Sequence, residues 1–152
     1  MQLRSLAMGL LLFVLGYGVV YAGQGKTYVG SKRCAECHEQ EYQNWTQYSK
    51  MAHSFETIMR MKHDLTPEAV KGCYGCHTTG YGHPTGFRDV ISTPDLKEVG
   101  CESCHGPGSA HIESSNPKDI KGKMTMQDCQ RCHNSARIKA FGFTPLVRGG
   151  AH

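Results

Sequence analysis

All eight cysteines of this chain fall in four copies of one pattern, in which two cysteines three positions apart are followed directly by a histidine. Two thiols at this spacing can add to the two vinyl groups on one edge of a porphyrin, and the next residue can turn its imidazole onto the iron. The pattern therefore predicts four covalently attached c-type haems. Their predicted attachment and proximal residues are Cys34, Cys37, His38, Cys73, Cys76, His77, Cys101, Cys104, His105, Cys129, Cys132 and His133.

Three other uses of paired cysteines compete with haem attachment. Zinc ribbons use paired cysteines but do not require a histidine after every pair. Disulfides would suit an exported chain with an even cysteine count, but they leave the four histidines unexplained. A thioredoxin-like redox motif would need a surrounding βαβ pattern, which the sequence does not signal. Haem attachment is the interpretation that uses every residue of the pattern.

The composition fits a small protein that wraps its cofactors. Of the 152 residues 39% are hydrophobic, but a dense apolar block lies between Leu6 and Val20, which leaves the remainder poor in aliphatic core residues. Such a chain is too short for a large enzyme and unsuited to a coiled coil or a multi-span membrane protein. The net charge is +4 with no basic run longer than Lys32-Arg33, so a nucleic-acid partner is not expected.

The first 22 residues are typical of an export signal. Arg4 gives the positive start, the apolar block follows, and Val20-Tyr21-Ala22 forms a small-residue cleavage site. The alternative is an uncleaved membrane anchor, since about 15 apolar residues lie at the short end of spanning length. We expect a signal peptide at 1–22 that contacts the membrane only transiently, and a tetrahaem domain at 23–152 in the periplasm or outside the cell.

Three segments carry helix signals. Residues 38–60 contain no glycine or proline and repeat apolar residues at three- and four-residue steps, which predicts one amphipathic helix with an aromatic face. Thr66 before Pro67 is typical of a helix start, and this helix is predicted to end near Lys71. Thr125 with Asp128 resembles a capping pair for a helix that reaches about Ile138. The aromatic face would comprise Tyr42, Trp45, Tyr48, Ala52 and Phe55.

The segments 78–95 and 106–122 are rich in Gly, Pro and Ser, and we expect them to be ordered loops. Strands are not signalled. The fold class predicted from these patterns is mainly α with extensive ordered loops and little or no β.

Four stretches of the sequence resemble the tetrahaem cytochrome c554 family and its relatives. They are Tyr28 to His38 with the later Trp45, Ser49 to Phe55, Cys73 to Gly82, and Gly100 to His111, which reads Gly-Cys-Glu-Ser-Cys-His-Gly-Pro-Gly-Ser-Ala-His. The resemblance extends over nearly all of the chain after residue 22. It implies a compact multihaem fold with haems in closely packed pairs, two histidines on most irons, and electron transfer outside the cytoplasm.

The resemblance also suggests the distal iron ligands. His111 stands where the family has a histidine that binds a different haem, His53 lies in a Lys-Met-Ala-His-Ser-Phe stretch, and His152 follows an aromatic, proline-bearing tail. Met51 occupies a position where a common version of the second stretch has histidine; thioether ligation would raise that haem's potential, and packing against a ring edge is the preferred interpretation. His63 and His83 are interpreted as ordinary polar residues.

Three distal candidates for four haems leave one iron open to a five-coordinate state, and this possibility separates the functional hypotheses. The first is an electron carrier that passes electrons between redox partner proteins. The second is an oxidoreductase that acts on a small nitrogen compound at one open iron. The third is a subunit of an extracellular cytochrome filament, in which one copy supplies a histidine to the next. No serine–histidine–aspartate arrangement, phosphate loop or pair of catalytic carboxylates stands out, so the carrier is the favoured hypothesis.

Overall fold

Short α-helices follow one another along residues 25–134, which are the residues that this computed structural model describes. No β-strand occurs in this range, and the mainly helical fold with little or no β is confirmed. Short 3-10 helices lie at Lys50–His53, Lys62–Asp64, Pro94–Leu96 and Pro117–Asp119. The α-helices are α1 (Ser31–Cys34), α2 (Glu39–Tyr48), α3 (Ser54–Met61), α4 (Pro67–His77), α5 (Cys101–His105), α6 (Ser109–Ser114) and α7 (Met126–Gln130).

The predicted signal peptide at 1–22 and the candidate ligand His152 lie outside the described residues, so both stay predictions. Between residues 25 and 134, no helix combines the length and the apolar character that a membrane crossing would need.

The prediction of a single helix over 38–60 is wrong, because the helix is interrupted at Ser49. Ser49 is extended, and its hydroxyl accepts the Met51 N–H at 3.3 Å, which ends α2 and starts a 3-10 turn. At the start of α3 the Glu98 carboxylate accepts the Phe55 N–H at 2.7 Å. The predicted aromatic face is therefore divided between two helices, and Tyr48 is left 69% exposed.

Both predicted helix starts are confirmed, whereas the predicted helix ends are wrong. The Thr66 hydroxyl accepts the Ala69 N–H at 3.2 Å, but α4 continues beyond Lys71 as far as His77. Thr125 and Asp128 form a capping box, with the Thr125 N–H donating to Asp128 at 2.8 Å. However, α7 ends at Gln130, and the part of its predicted extension beyond residue 134 lies outside the described residues.

The two predicted loops differ in outcome. Residues 78–95 form an irregular but hydrogen-bonded loop, in which Phe87 N–H donates to Thr79 O at 2.9 Å. Residues 106–122 include α6, so the prediction of a loop is wrong for that part of the segment. The helix begins after Gly108, because the Gly108 N–H is held at 2.7 Å by the carboxylate of Glu102.

The apolar core packs around the second cysteine motif. Its buried members are Phe55, Ile58, Phe87 and Leu96. Tyr74, which lies between Cys73 and Cys76, packs edge-on against Phe87 with ring centroids 5.2 Å apart. The core therefore positions α4 and its motif directly.

Candidate haem-binding sites

Each of the four motifs folds as one helical turn. The second motif forms the end of α4, and the third motif is α5 itself. In the first and fourth motifs the histidine N–H donates to the carbonyl of the first cysteine at 2.9 Å, from His38 to Cys34 and from His133 to Cys129. Residues three and four apart share a face of a helix, so each turn presents two thiols and an imidazole on one side. This is the donor set that a covalently attached haem requires.

The first and third motifs lie side by side, since α1 contacts α5. The Cys34 and Cys101 thiols share a hydrogen bond, which raises the pKa of Cys34 and lowers the pKa of Cys101 to about 6. Burial raises the pKa of Cys34 further. The thiols of the first and third motifs therefore lie close enough to interact.

The second and fourth motifs also meet. Burial, followed by a hydrogen bond with Cys76, raises the pKa of Cys132 to about 11. The Arg131 guanidinium, in the fourth motif, donates to the Ser103 carbonyl of the third motif at 3.0 Å. The motifs therefore lie next to one another in the order first, third, fourth, second.

Lys121 holds the base of the fourth motif through Asp128. A hydrogen bond between the Lys121 ammonium and the Asp128 carboxylate holds the pKa of Asp128 well below its usual range, and the capping bonds from Thr125 act in the same direction. These contacts fix the helical turn from which Cys129 projects.

Backbone carbonyls orient three of the histidine rings. The Nδ1 atoms of His77, His105 and His111 lie 3.2, 2.6 and 3.0 Å from the carbonyl oxygens of Ser54, Lys121 and Asn116, respectively. A carbonyl can only accept, so each of these Nδ1 atoms carries a proton. This is the usual arrangement of a metal-binding histidine, in which the partner of one nitrogen orients the other.

His111, which follows the third motif, lies near His38, the histidine of the first motif. The imidazoles of His38 and His111 have centroids 6.3 Å apart and planes inclined by 27°. An imidazole centroid lies roughly 1 Å from its nitrogen and a metal–nitrogen bond is about 2 Å long, so two imidazoles on opposite sides of one metal ion have centroids roughly 6 Å apart. The observed separation is that expected if both imidazoles held one metal ion, so His38 and His111 could hold the same haem iron, and ligation by His111 remains a prediction.

The remaining candidate histidines contact groups near them in sequence. The Nε2 of His53 lies 3.0 Å from the Thr46 carbonyl, and its Nδ1 lies 3.9 Å from Glu56. His83 bonds to Thr85 at 3.1 Å. His63 lies exposed in a 3-10 turn. Ligation by His53 remains a prediction, as does the interpretation of Met51, which is partly exposed on the 3-10 turn before it.

Sequence reasoning missed two polar side chains that tie the motifs together. Glu102, between the cysteines of the third motif, is 1% exposed and accepts backbone N–H groups from the distant Gly30 and from Gly108. The Ser54 hydroxyl donates to the His77 carbonyl at 2.8 Å and accepts the Val99 N–H at 3.0 Å. No sequence pattern marks either residue, because the partners of both lie more than 20 positions away, apart from the nearby Gly108.

Two cavities lie near the motifs. A cavity of about 880 Å³ between α2, α3 and residues 89–100 is lined by Trp45, Phe55 and Ile58, and no cysteine or histidine of a motif lines it. A smaller cavity of about 200 Å³ lies beside the third motif. Its lining includes Cys104, His105, Lys121 and Arg131.

The sequence of this chain is similar to those of known proteins of one family. The family described as "Cytochrome c554 and c-prime" matches residues 33–106. Cytochrome c-554 of Nitrosomonas europaea is 34% identical over 128 residues, which is 75% of this chain and 54% of that protein. The chain thus spans about half the length of this curated relative.

A solved structure, the reduced state of cytochrome c554 from Nitrosomonas europaea, has a similar fold. The TM-score is 0.54 at 27% sequence identity, and the match covers 84% of this chain and 78% of that one. The matched family region contains the first three motifs. The chain therefore belongs to the cytochrome c554 family, whose members bind c-type haem covalently.

Proposed function

We propose that this protein is a tetrahaem c-type cytochrome that transfers electrons between redox partner proteins outside the cytoplasm. The observation that carries the proposal is the 6.3 Å separation of His38 and His111. If both imidazoles held one iron, that iron would have no open axial position. A site of this kind suits electron exchange and not the binding of a substrate to the metal.

Each part of the chain has a defined task in this proposal. The cysteine pairs tether the four haems, and the motif histidines hold the proximal positions. His111 holds the distal position opposite His38, while His53 and His152 remain the candidates elsewhere. Bound haem supplies the one-electron chemistry of iron. The carbonyls of Ser54 and Lys121 accept from Nδ1 of His77 and His105 and so orient the two rings.

The succession of neighbouring motifs supports transfer through the protein. The Cys34–Cys101 contact, the Arg131–Ser103 bond and the Cys76–Cys132 contact join all four motifs. Four closely spaced redox sites allow an electron to cross the molecule without diffusion of a carrier.

A second candidate function is favoured by one observation. Both ring nitrogens of His53 lie near groups of its own segment, which would leave a second iron without a distal candidate. Such an iron could bind a small nitrogen compound, as in an oxidoreductase. The filament alternative depends on His152, outside the described residues.

The proposal is tested on the purified holoprotein. We expect a mass that exceeds the processed chain by four haems, and reversible uptake of four electrons in potentiometric titration. Electron paramagnetic resonance of the oxidised protein, together with carbon monoxide binding by the reduced protein, counts the open irons. Complete low-spin signals and no carbon monoxide binding support the carrier, whereas one high-spin iron that binds carbon monoxide supports the oxidoreductase.

Replacement of the distal histidine provides the matched variant. We expect His111→Ala to convert one low-spin iron into a high-spin iron that binds carbon monoxide, while His83→Ala leaves the spectrum unchanged. A colourless protein, or one with the mass of the bare chain, would overturn the proposal. An unchanged spectrum in His111→Ala would overturn the pairing with His38.

A further inference from the structure

We propose that Glu102 is a positioning residue that sets the axial pair His38–His111, although it belongs to the third motif and contacts neither imidazole. The inference rests on the proposed function, because it assumes that these two histidines bind one iron. In this inference Glu102 is the side chain that holds the two imidazoles in place relative to one another.

The carboxylate of Glu102 is buried, and both of its oxygens accept hydrogen bonds from backbone N–H groups. One oxygen accepts the Gly30 N–H at 2.7 Å, the other accepts the Gly108 N–H at 2.7 Å, and the Val29 N–H lies 3.0 and 3.1 Å from the two oxygens. A buried charged group is tolerated only where hydrogen bonds replace its water. Three converging N–H groups meet this condition, so the carboxylate holds two separate segments in one place.

The first segment leads directly to His38. Gly30 precedes α1, has a φ of +86°, and accepts the Arg33 N–H at 3.1 Å. At the other end of this helix, the Cys34 carbonyl accepts the His38 N–H. Glu102, the hydrogen-bonded turn of α1 and the turn from Cys34 to His38 therefore follow one another along a short stretch of backbone.

The second segment leads to His111. Gly108 precedes α6, and its carbonyl accepts the Ile112 N–H at 3.0 Å. His111 is the third residue of this helix. Because Glu102 holds the residue before each helix, it fixes the start of α6, which carries His111, and the start of α1, which ends four residues before His38.

A second link joins the same segments and provides a control. The Thr27 N–H donates to the Ser109 hydroxyl at 2.8 Å, and the Ser109 N–H donates to the Thr27 carbonyl at 3.2 Å. Ser109→Ala removes only the first of these bonds and leaves the carboxylate cluster intact. A positioning role for Glu102 therefore predicts a spectral change in the Glu102 variant and none in Ser109→Ala.

The shape and polarity of the site explain why a carboxylate is needed. Glu102→Gln keeps the size of the side chain but turns an amide NH₂ group toward the N–H donors of one segment, which then lack an acceptor. The freed segment shifts, and its histidine leaves the axial position. Glu113→Gln is the matched control, since Glu113 is an exposed glutamate on α6 beyond His111.

The experiment compares the holoproteins by mass, electron paramagnetic resonance and carbon monoxide binding. We expect Glu102→Gln to retain its haems, to convert one of the low-spin irons to high spin, and to bind carbon monoxide at that iron. Added imidazole should restore the low-spin signal, because it fills the vacated position. Glu113→Gln and Ser109→Ala should match the wild type, and Glu102→Gln/His111→Ala should open no more irons than His111→Ala alone.

The outcomes separate the two proposals. A wild-type spectrum in Glu102→Gln overturns this inference, even where His111→Ala opens an iron and the proposed axial pair stands. An unchanged spectrum in His111→Ala overturns the axial pair itself. Where Glu102→Gln loses haem, Glu102→Asp decides: the shorter carboxylate must give one altered low-spin signal, and a wild-type signal from it overturns the positioning role.

Discussion

The first and second motifs are held in place by different kinds of contact. Around the first motif the central contact is polar: the buried carboxylate of Glu102 binds backbone N–H groups and aligns the segments that carry His38 and His111. Around the second motif the central contact is apolar: Tyr74 packs on Phe87 inside the core.

The difference follows from what each interaction can specify. Apolar burial is strong but nearly without direction, so it fixes where α4 lies. Hydrogen bonds depend on angle and distance, so they fix how two imidazoles face one another. A site that must align residues from two distant segments requires directional contacts, whereas a motif within one continuous helix can rely on packing.

Removing both cysteines of a haem-attachment motif should have the largest effect on the free energy of unfolding. Cys34→Ala/Cys37→Ala and Cys129→Ala/Cys132→Ala should each lower the mass by one haem. We expect the first double variant to lose more than about 5 kcal/mol of unfolding free energy, which exceeds the deletion of one large buried ring. The reason is that the first motif lies where α1 meets α2 and α5. Denaturant unfolding measures both variants, and equal losses would contradict a larger contribution of the first motif than of the fourth to stability.

Phe87→Ala should be the next largest change, because Phe87 is only 1% exposed within the core. We expect a loss of about 3–5 kcal/mol in the free energy of unfolding. The low-spin signal of the His38–His111 site should remain, since its hydrogen bonds are untouched. Ile91→Ala, at a residue that is 89% exposed, should change stability by no more than about 0.5 kcal/mol. A new high-spin iron in Phe87→Ala would show that the two regions are not independent.

Ser54→Ala should give the smallest of the three effects. It leaves the buried Val99 N–H without its acceptor, for an expected loss of about 1–3 kcal/mol. The backbone carbonyl of Ser54 still accepts from His77, so the haem spectrum should not change. Ser92→Ala, at an exposed hydroxyl, serves as the control in urea unfolding. A loss in Ser54→Ala no larger than that of the control would remove Ser54 from the contacts that hold the second motif.

Local sequence signals were dependable where the physical cause is local. The starts of α4 and α7 follow from Thr66 and Thr125, whose side chains bond within three residues. The cysteine motif combines its donor set within one helical turn for the same reason. The break at Ser49 was missed because the start of α3 also depends on Glu98, 43 residues beyond Phe55.

The sequence by itself determined the family and the helical class and predicted the residues that would hold haem, because each depends on residues within a turn of one another. Only the tertiary structure decided that the His111 ring lies near the His38 ring. The same is true of the bond from the Gly30 N–H to Glu102, 72 residues later in the chain. The physical reason is that a carboxylate looks the same in sequence whether water or three backbone N–H groups surround it. Packing of the whole chain decides which of these environments it has.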